Sequence, residues 1–294
     1  MRIAIIGGDK RMLFAARELM LSGAQVKVAG FDTLVSDGGI HLATVAKSLK
    51  DADAVVLPIR PAAGEMLNAP FAAPEIPLRA LGEAVGNTPV FSGNADAVSA
   101  YFTSLVRDYA AREDFLIPNA ALTAEGAVGL LVNEYEGAIF GARILVLGYG
   151  RIGRILSRYL RSLGASVTVA ARRASSRSWA VSEGLNVYHN SCEELKCYDI
   201  VINTVPAAVL KEAELRQMHP DCFIIDLASM PGGVDREAAQ ALNLTCIHAL
   251  ALPGRTAPAA AGRIIKDTIL QMIKEENGGK DNSGLCDDRL LLHL

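Results

Sequence analysis

Three glycines, Gly148, Gly150 and Gly153, stand at the spacing G-x-G-x-x-G. They lie between the apolar run Arg143–Leu147 and a segment whose Ile155, Leu156, Tyr159, Leu160 and Leu163 fall on one helical face. That order of residue types suits a pyrophosphate. The first glycine permits a tight turn, the second lets the backbone approach the phosphates, and the third lets helix and strand pack closely. The backbone of Gly148, Tyr149, Gly150, Arg151, Ile152 and Gly153 is therefore the expected cradle, with the helix N-terminus supplying N–H groups and the positive end of its dipole. The next apolar run, Ser166–Ala171, leads into Arg172 and Arg173, where an enzyme for NAD would carry an acid to hold the ribose 2′-hydroxyl. Two guanidiniums there suit a 2′-phosphate, so the expected cofactor is NADP; a solvated arginine pair at a strand end is the bland alternative. Two further apolar runs end in Asn203-Thr204-Val205-Pro206 and Asp226-Leu227-Ala228-Ser229. In an open α/β sheet ligands bind at the carboxyl ends of the strands, so Thr204, Val205, Pro206 and Ala228 are expected on the ribose and nicotinamide side.

Groups for a substrate are fewer. Gly7-Gly8-Asp9-Lys10-Arg11 follows the first apolar run and lacks a third glycine. With Lys10 and Arg11 over a helix start it suits a carboxylate better than a pyrophosphate, and a solvated helix start is nearly as good a reading. Ser92-Gly93-Asn94 follows another strand and offers hydrogen-bonding groups in Ser92 and Asn94; Arg255 is a further candidate cation. Glu125, with Thr123 beside it as a helix N-cap, is the best-placed carboxylate for proton chemistry, against the plainer reading of a first-turn acid facing the helix dipole. His248 is the one histidine near a strand end and loop, which would matter for hydride transfer; His41, His189, His219 and His293 have no catalytic partner pattern. Cys192, Cys197, Cys222, Cys246 and Cys286 show neither C-x-x-C pairing nor histidine at zinc spacing, so reduced structural thiols and no metal are expected.

The elements that must position these groups follow from alternating apolar runs and helical patterns, the signature of β-α-β units. A first series comprises a strand at Arg2–Ile6, a helix near Leu13–Ser22, strands at Gln25–Ala29, Ala54–Leu57 and Thr88–Phe91, and a short helix at Leu78–Val85. A second series starts at Arg143. Between them Val128, Leu131, Val132 and Tyr135 predict a bridging helix over 122–140, and Pro258 to about Glu275 reads as a terminal helix. The expected class is α/β, two Rossmann-like doubly wound parallel sheets. Its divisions are 1–121 on the substrate side, 141–257 for the cofactor, a helix at 258–277 packing back on the N-terminal domain, and a tail at 278–294 that is disordered or contacts a partner. With 294 residues, 51% hydrophobic and 21% charged, the chain is long and apolar enough for two cores. A net charge of −3 with interspersed signs argues against nucleic acid and polybasic membrane anchoring. The opening run is too short for a signal peptide, and no other stretch reads as membrane-spanning, so a cytosolic chain is expected.

Taken together, Gly7-Gly8-Asp9, Ser92-Gly93-Asn94, Thr123-Ala124-Glu125-Gly126, Gly148–Gly153, Asn203–Pro206, Asp226–Ser229 with Pro231-Gly232-Gly233, and Ala257-Pro258 with Ala261-Gly262 resemble the A-subunit family of bacterial dipicolinate synthases, from residue 1 to about 275. The resemblance implies NADP-linked oxidation of dihydrodipicolinate to pyridine-2,6-dicarboxylate in the mother cell of a spore former. It also implies a partner, the flavoprotein-like B-subunit of dipicolinate synthase, and self-association is expected. The chain departs from the family pattern at Ala120, Leu122, Met230, Ala259 and Ala260, where hydroxyl and basic groups and a proline are replaced; these changes touch substrate contacts rather than the cofactor loop. Two other readings compete: an NADP-dependent dehydrogenase of 2-hydroxy or 2-keto acids, using His248, and a non-catalytic NADP-binding regulatory protein.

Overall fold

The computed structural model describes residues 1–34, 40, 42–188 and 195–278. His41, His189, His293, Cys192, Cys286 and the tail after Gly278 lie outside them. The chain divides into two compact units, one formed by residues 1–115 with the chain from Gly262 on, the other by Leu116–Ala261.

The first unit contains β1 (Arg2–Ile6), α1 (Lys10–Leu21), β2 (Gln25–Ala29), α2 (Val45–Leu49), β3 (Ala54–Val56), β4 (Ala62–Ala63), β5 (Met66–Leu67), α3 (Leu78–Val85), β6 (Val90–Ser92) and β7 (Val106–Asp108). Five strands form one parallel sheet in the order β2-β1-β3-β6-β7; β4 and β5 form a separate antiparallel pair. Ala4, Ile6, Val55 and Val90 meet Leu78, Leu81 and Val85 of α3 on one face, while the alternate residues Ile3, Ile5 and Val56 are buried too. Burial of both alternating sets is why the strands read as continuous apolar runs. The small elements β4, β5, α2 and β7 carry too few residues to show a period.

Helix α4 runs Glu113–Glu134, not 122–140. Pro118 lies five residues into the helix, where it removes only one hydrogen bond near the start. Thr123 is therefore mid-helix and not an N-cap; its Oγ1 donates to the Asn119 carbonyl at 2.9 Å. Contrary to the expectation from sequence, α4 is long and apolar enough to cross a membrane. Its Ala124, Ala127 and Leu131 belong to the core of the second unit, as in the buried core helix of a globular domain.

That unit contains β8 (Arg143–Leu147), α5 (Arg151–Ser162), β9 (Ser166–Ala170), α6 (Ala174–Ser182), β10 (Asn186–Val187), β11 (Ile200–Asn203), α7 (Glu212–Leu215), β12 (Phe223–Asp226), α8 (Arg236–Ala241), β13 (Thr245–His248) and α9 (Leu252–Thr256); α10 (Pro258–Gly278) follows. The parallel order is β10-β9-β8-β11-β12-β13. Ile144, Val146, Val167, Val169, Ile200, Ile202 and Ile225 cluster with Leu156 and Leu160 of α5 and Ala180 of α6, and Leu145, Val201 and Ile224 point the other way against Leu215 and Ala239. Both faces are covered, the doubly wound arrangement. At Gly262 of α10 a Cβ would lie against the Arg11 carbonyl and Phe14, so α10 packs tightly on α1 within the first unit.

Candidate functional site

The order of strands places a switch point between β8 and β11, whose connections leave in opposite directions. Gly148 follows β8 with φ +96°, donates to the Ala170 carbonyl at 2.8 Å, and lies so close to Thr204 that a Cβ would meet its Oγ1. At Gly153 a Cβ would fall inside van der Waals contact of the Gly148 carbonyl oxygen, and that absence of a side chain lets α5 seat on the loop. Gly150 is different: open space surrounds its Cβ position, and it caps α5 with no side-chain hydrogen bond and no acid in the first turn. Helix α5 thus presents an N-terminus without a side-chain cap at the open side of the loop, a ready anion site.

The equivalent turn of the first unit is closed. Asp9 caps α1, accepting from Arg11 N at 3.0 Å, and the Gly7 and Gly8 amides donate to the Ala29 and Asn68 carbonyls, both at 2.9 Å. Arg11 is clamped to the Asp9 carboxylate, Nε to Oδ1 at 2.9 Å and Nη2 to Oδ2 at 2.6 Å, which leaves Lys10 as the exposed cation of that turn. Ser92 is buried, reaching the Asn94 amide only at 3.5 Å, and the exposed Asn94 accepts from the Ala97 amide at 3.3 Å.

In the second unit Arg172 and Arg173 are exposed just past β9, and no acid stands between Ala170 and Glu183. Arg177, not singled out by sequence, donates its Nη1 to the Ala171 and Arg172 carbonyls at 3.0 and 2.6 Å and so pins the turn bearing the arginine pair. Tyr149 and Ile152 serve the loop through backbone only: Ile152 packs on the core, and Tyr149 is buried with its hydroxyl donating to Glu183 at 2.9 Å. Arg151 is exposed. Glu183 also pairs with Arg154 at 2.6 Å and Arg158 at 3.1 Å. The guanidiniums of Arg158 and Arg154 hold its carboxyl down at about 2, and burial followed by the Glu183 hydrogen bond pushes Tyr149 up to about 12. A carboxyl lowered by folding stabilises the native state above its unfolded value and ceases to do so as pH falls through the folded one. The melting-temperature gap between wild type and Glu183→Gln is accordingly expected to be constant above about pH 4.5 and to close between there and about pH 2; a gap independent of pH across that window would contradict the pairing.

Toward β13 the edge is shaped by side chains that hold backbone. Thr204 Oγ1 and N both reach the Leu147 carbonyl, at 2.8 and 2.9 Å. Asn203 accepts from the Val205 amide at 3.0 Å and donates to the Val205 carbonyl at 3.0 Å and to Asp226 at 2.8 Å. Val205 is part-buried and Pro206 exposed. The buried Ala228 accepts at its carbonyl from His248 Nε2 at 2.9 Å, so that ring nitrogen is committed to backbone. The Asn203–Asp226 pair was not singled out by sequence; two strand-end polar residues in otherwise apolar runs were its only signal.

Glu125 is exposed on α4. At the next residue, Gly126, a Cβ would lie 2.9 Å from Leu252 Cβ and 3.1 Å from Thr256 Oγ1, so α4 meets α9 there, and α9 also carries the exposed Arg255. The second unit thus carries the exposed Glu125 and Arg255 on helices that meet each other. Among the described residues no group of His, Cys, Asp and Glu could hold a metal. Burial pushes the Cys222 and Cys246 thiols up to about 12 and about 11, away from thiolate reactivity.

Known proteins agree with this division. Residues 2–109 match the N-terminal domain of the dipicolinate synthase A-subunit, and residues 129–252 match the NAD-binding domain of D-isomer specific 2-hydroxyacid dehydrogenases, so the second unit is a nicotinamide-dinucleotide domain. The dipicolinate synthase A-subunit of Bacillus subtilis strain 168 is 31% identical over 94% of this chain and 96% of its own. The crystal structure of the Bacillus halodurans A-subunit superposes with a TM-score of 0.83 at 31% identity, over 92% of this chain and 97% of that one. A shorter match, 38% identity over 28% of this chain and 24% of the relative, is to the ketol-acid reductoisomerase (NADP(+)) of Saccharolobus solfataricus. A closed first turn, an open glycine loop on a dehydrogenase-type sheet and homology along nearly the whole length lead to one assignment: the chain belongs to the A-subunit family of dipicolinate synthases.

Proposed function

We propose that this chain oxidises dihydrodipicolinate to pyridine-2,6-dicarboxylate with NADP⁺. The observation that carries the cofactor choice is the pair of exposed arginines after β9, in a segment with no acid to receive a ribose 2′-hydroxyl. A relative named for NADP(+), matched over 84 residues, points the same way. The glycine-loop backbone and the N-terminus of α5 hold the pyrophosphate, Arg172 and Arg173 hold the 2′-phosphate, and Thr204, Val205, Pro206 and Ala228 line the remainder. Bound NADP⁺ supplies the hydride acceptor. Glu125, directly or through water, takes the ring proton released as the product becomes aromatic, and Arg255 holds a carboxylate. Loss of one hydride and one proton balances the conversion of a dihydropyridine to a pyridine.

The reading places the protein in the mother-cell cytoplasm of a sporulating bacterium, as a homo-oligomer acting with a flavoprotein-like B-subunit. Purified protein given the dihydro-diacid and NADP⁺ is expected to form pyridine-2,6-dicarboxylate and NADPH in equal amounts; tight NADP⁺ binding without product, with the B-subunit or without it, would favour a non-catalytic binding role. A 2-hydroxyacid dehydrogenase reading would need His248 as the acid-base group, and an unimpaired His248→Ala enzyme would dismiss it.

Cofactor choice has its own test. Each charge-assisted hydrogen bond contributes about 1.5–3 kcal/mol, so Arg172→Ala with Arg173→Ala is expected to lower the preference for NADPH over NADH by about 100-fold or more. Calorimetric titration of both cofactors measures it; an unchanged ratio would return the arginines to the role of a solvated strand end.

A further inference from the structure

Asp226 ends β12 with its side chain wholly buried, and the mechanism above does not use it. Its Oδ1 accepts from Asn203 Nδ2 at 2.8 Å and Ala228 N at 3.1 Å; its Oδ2 accepts from Gly233 N at 2.8 Å and Val234 N at 3.3 Å. Four donors fill the four acceptor sites of a carboxylate, and a protonated acid would turn its own O–H against one of them. Among the described residues no lysine, arginine or histidine forms an ion pair with it. Asp226 is therefore an interior carboxylate held by amide donors, in surroundings that screen charge weakly.

Its position gives that charge a use. The donors come from the turn after β11 and the loop Ala228–Val234 after β12, both at the carboxyl ends of strands and on the side of the switch point opposite Arg172 and Arg173. In a dinucleotide site that half receives the nicotinamide. The loop is wrapped onto the carboxylate: Gly232 has φ +95°, and a Cβ there would lie 2.6 Å from Asp226 Oδ2. His248, donating to the Ala228 carbonyl, ties down the start of the same loop.

We infer that Asp226 is a positioning residue that also discriminates cofactor oxidation state: it shapes both nicotinamide-side loops and, as a buried anion, favours the cationic ring of NADP⁺ over the neutral ring of NADPH. The inference rests on the NADP reading and deepens it, because an enzyme that takes hydride from its substrate must capture the oxidised cofactor and release the reduced one.

Dissociation constants for NADP⁺ and NADPH, measured by calorimetry on the full chain, test it apart from turnover. In Asp226→Asn, NADP⁺ binding is expected to weaken by about tenfold more than NADPH binding, as the loss of a buried negative charge disfavours the cationic ring alone. Asn203→Ser keeps the charge while loosening the turn, so both constants should rise together with their ratio held. Equal losses for the two cofactors in Asp226→Asn would make the residue purely structural and overturn the inference. Should that variant not fold, wild type decides: NADP⁺ must bind at least as tightly as NADPH, and tighter NADPH overturns the inference. If wild type binds neither, the NADP reading falls and this inference with it.

Discussion

Replacing Glu125 with Gln is expected to cut turnover by about 10²- to 10⁴-fold, the range of a general base, while NADP⁺ affinity and thermal stability stay at wild-type values. The expectation is sharp because the side chain has so little else to do. Glu125 is exposed on α4 and makes no hydrogen bond or ion pair among the described residues, so the isosteric amide removes no structural contact. Surface changes of that kind usually stay within about 0.5 kcal/mol. The helix beneath it is held elsewhere, by Ala124, Ala127 and Leu131 in the core and by the close approach of Gly126 to α9. Steady-state kinetics with the dihydro-diacid, alongside melting curves, measure the effect. A fully active variant would transfer the proton to another group and leave Glu125 as surface charge.

Gly153→Ala should have the other large effect, and of a different kind. Its Cβ would press on the carbonyl oxygen of Gly148, and a backbone atom cannot yield as a side-chain tip can. Helix α5 must tilt away from β8, at a cost on the order of 3 kcal/mol, and the glycine loop opens with it. Melting temperature should fall, and NADPH should no longer raise it. Gly150→Ala is the informative contrast, since beyond its chain neighbours nothing lies within 4 Å of that Cβ position. There the apo protein should melt like wild type while cofactor affinity drops, because the added methyl takes the space through which phosphate approaches. Equal behaviour of the two variants would contradict the separate roles of the glycines.

Much of this was legible in sequence because it depends on local order. Strands buried on both faces give unbroken runs such as Ile144–Leu147, and the glycine loop follows one of them at fixed spacing. The arginine pair was visible for the same reason, as a departure from the acid expected at a strand end. What sequence did not yield depends on partners distant in the chain or on a local choice between two bonds. Asp226 and Asn203 stand 23 residues apart, and Glu183 meets Arg154 across 29; no periodicity announces such pairs. Arg11 reads in sequence as a cation for a substrate carboxylate, yet it turns back on Asp9 two residues before it. Thr123 does not cap because α4 begins well ahead of it, across Pro118, and there its hydroxyl bonds the preceding turn.

Isotope transfer decides whether this chain itself takes hydride from a dihydropyridine dicarboxylate. Substrate deuterated at its tetrahedral ring carbons is converted by the purified chain with NADP⁺, and the products are read by mass spectrometry and NMR. One deuterium is expected in the reduced nicotinamide for each pyridine-2,6-dicarboxylate formed. NADPH carrying no label, with the B-subunit or without it, would contradict it and move the hydride acceptor off this chain.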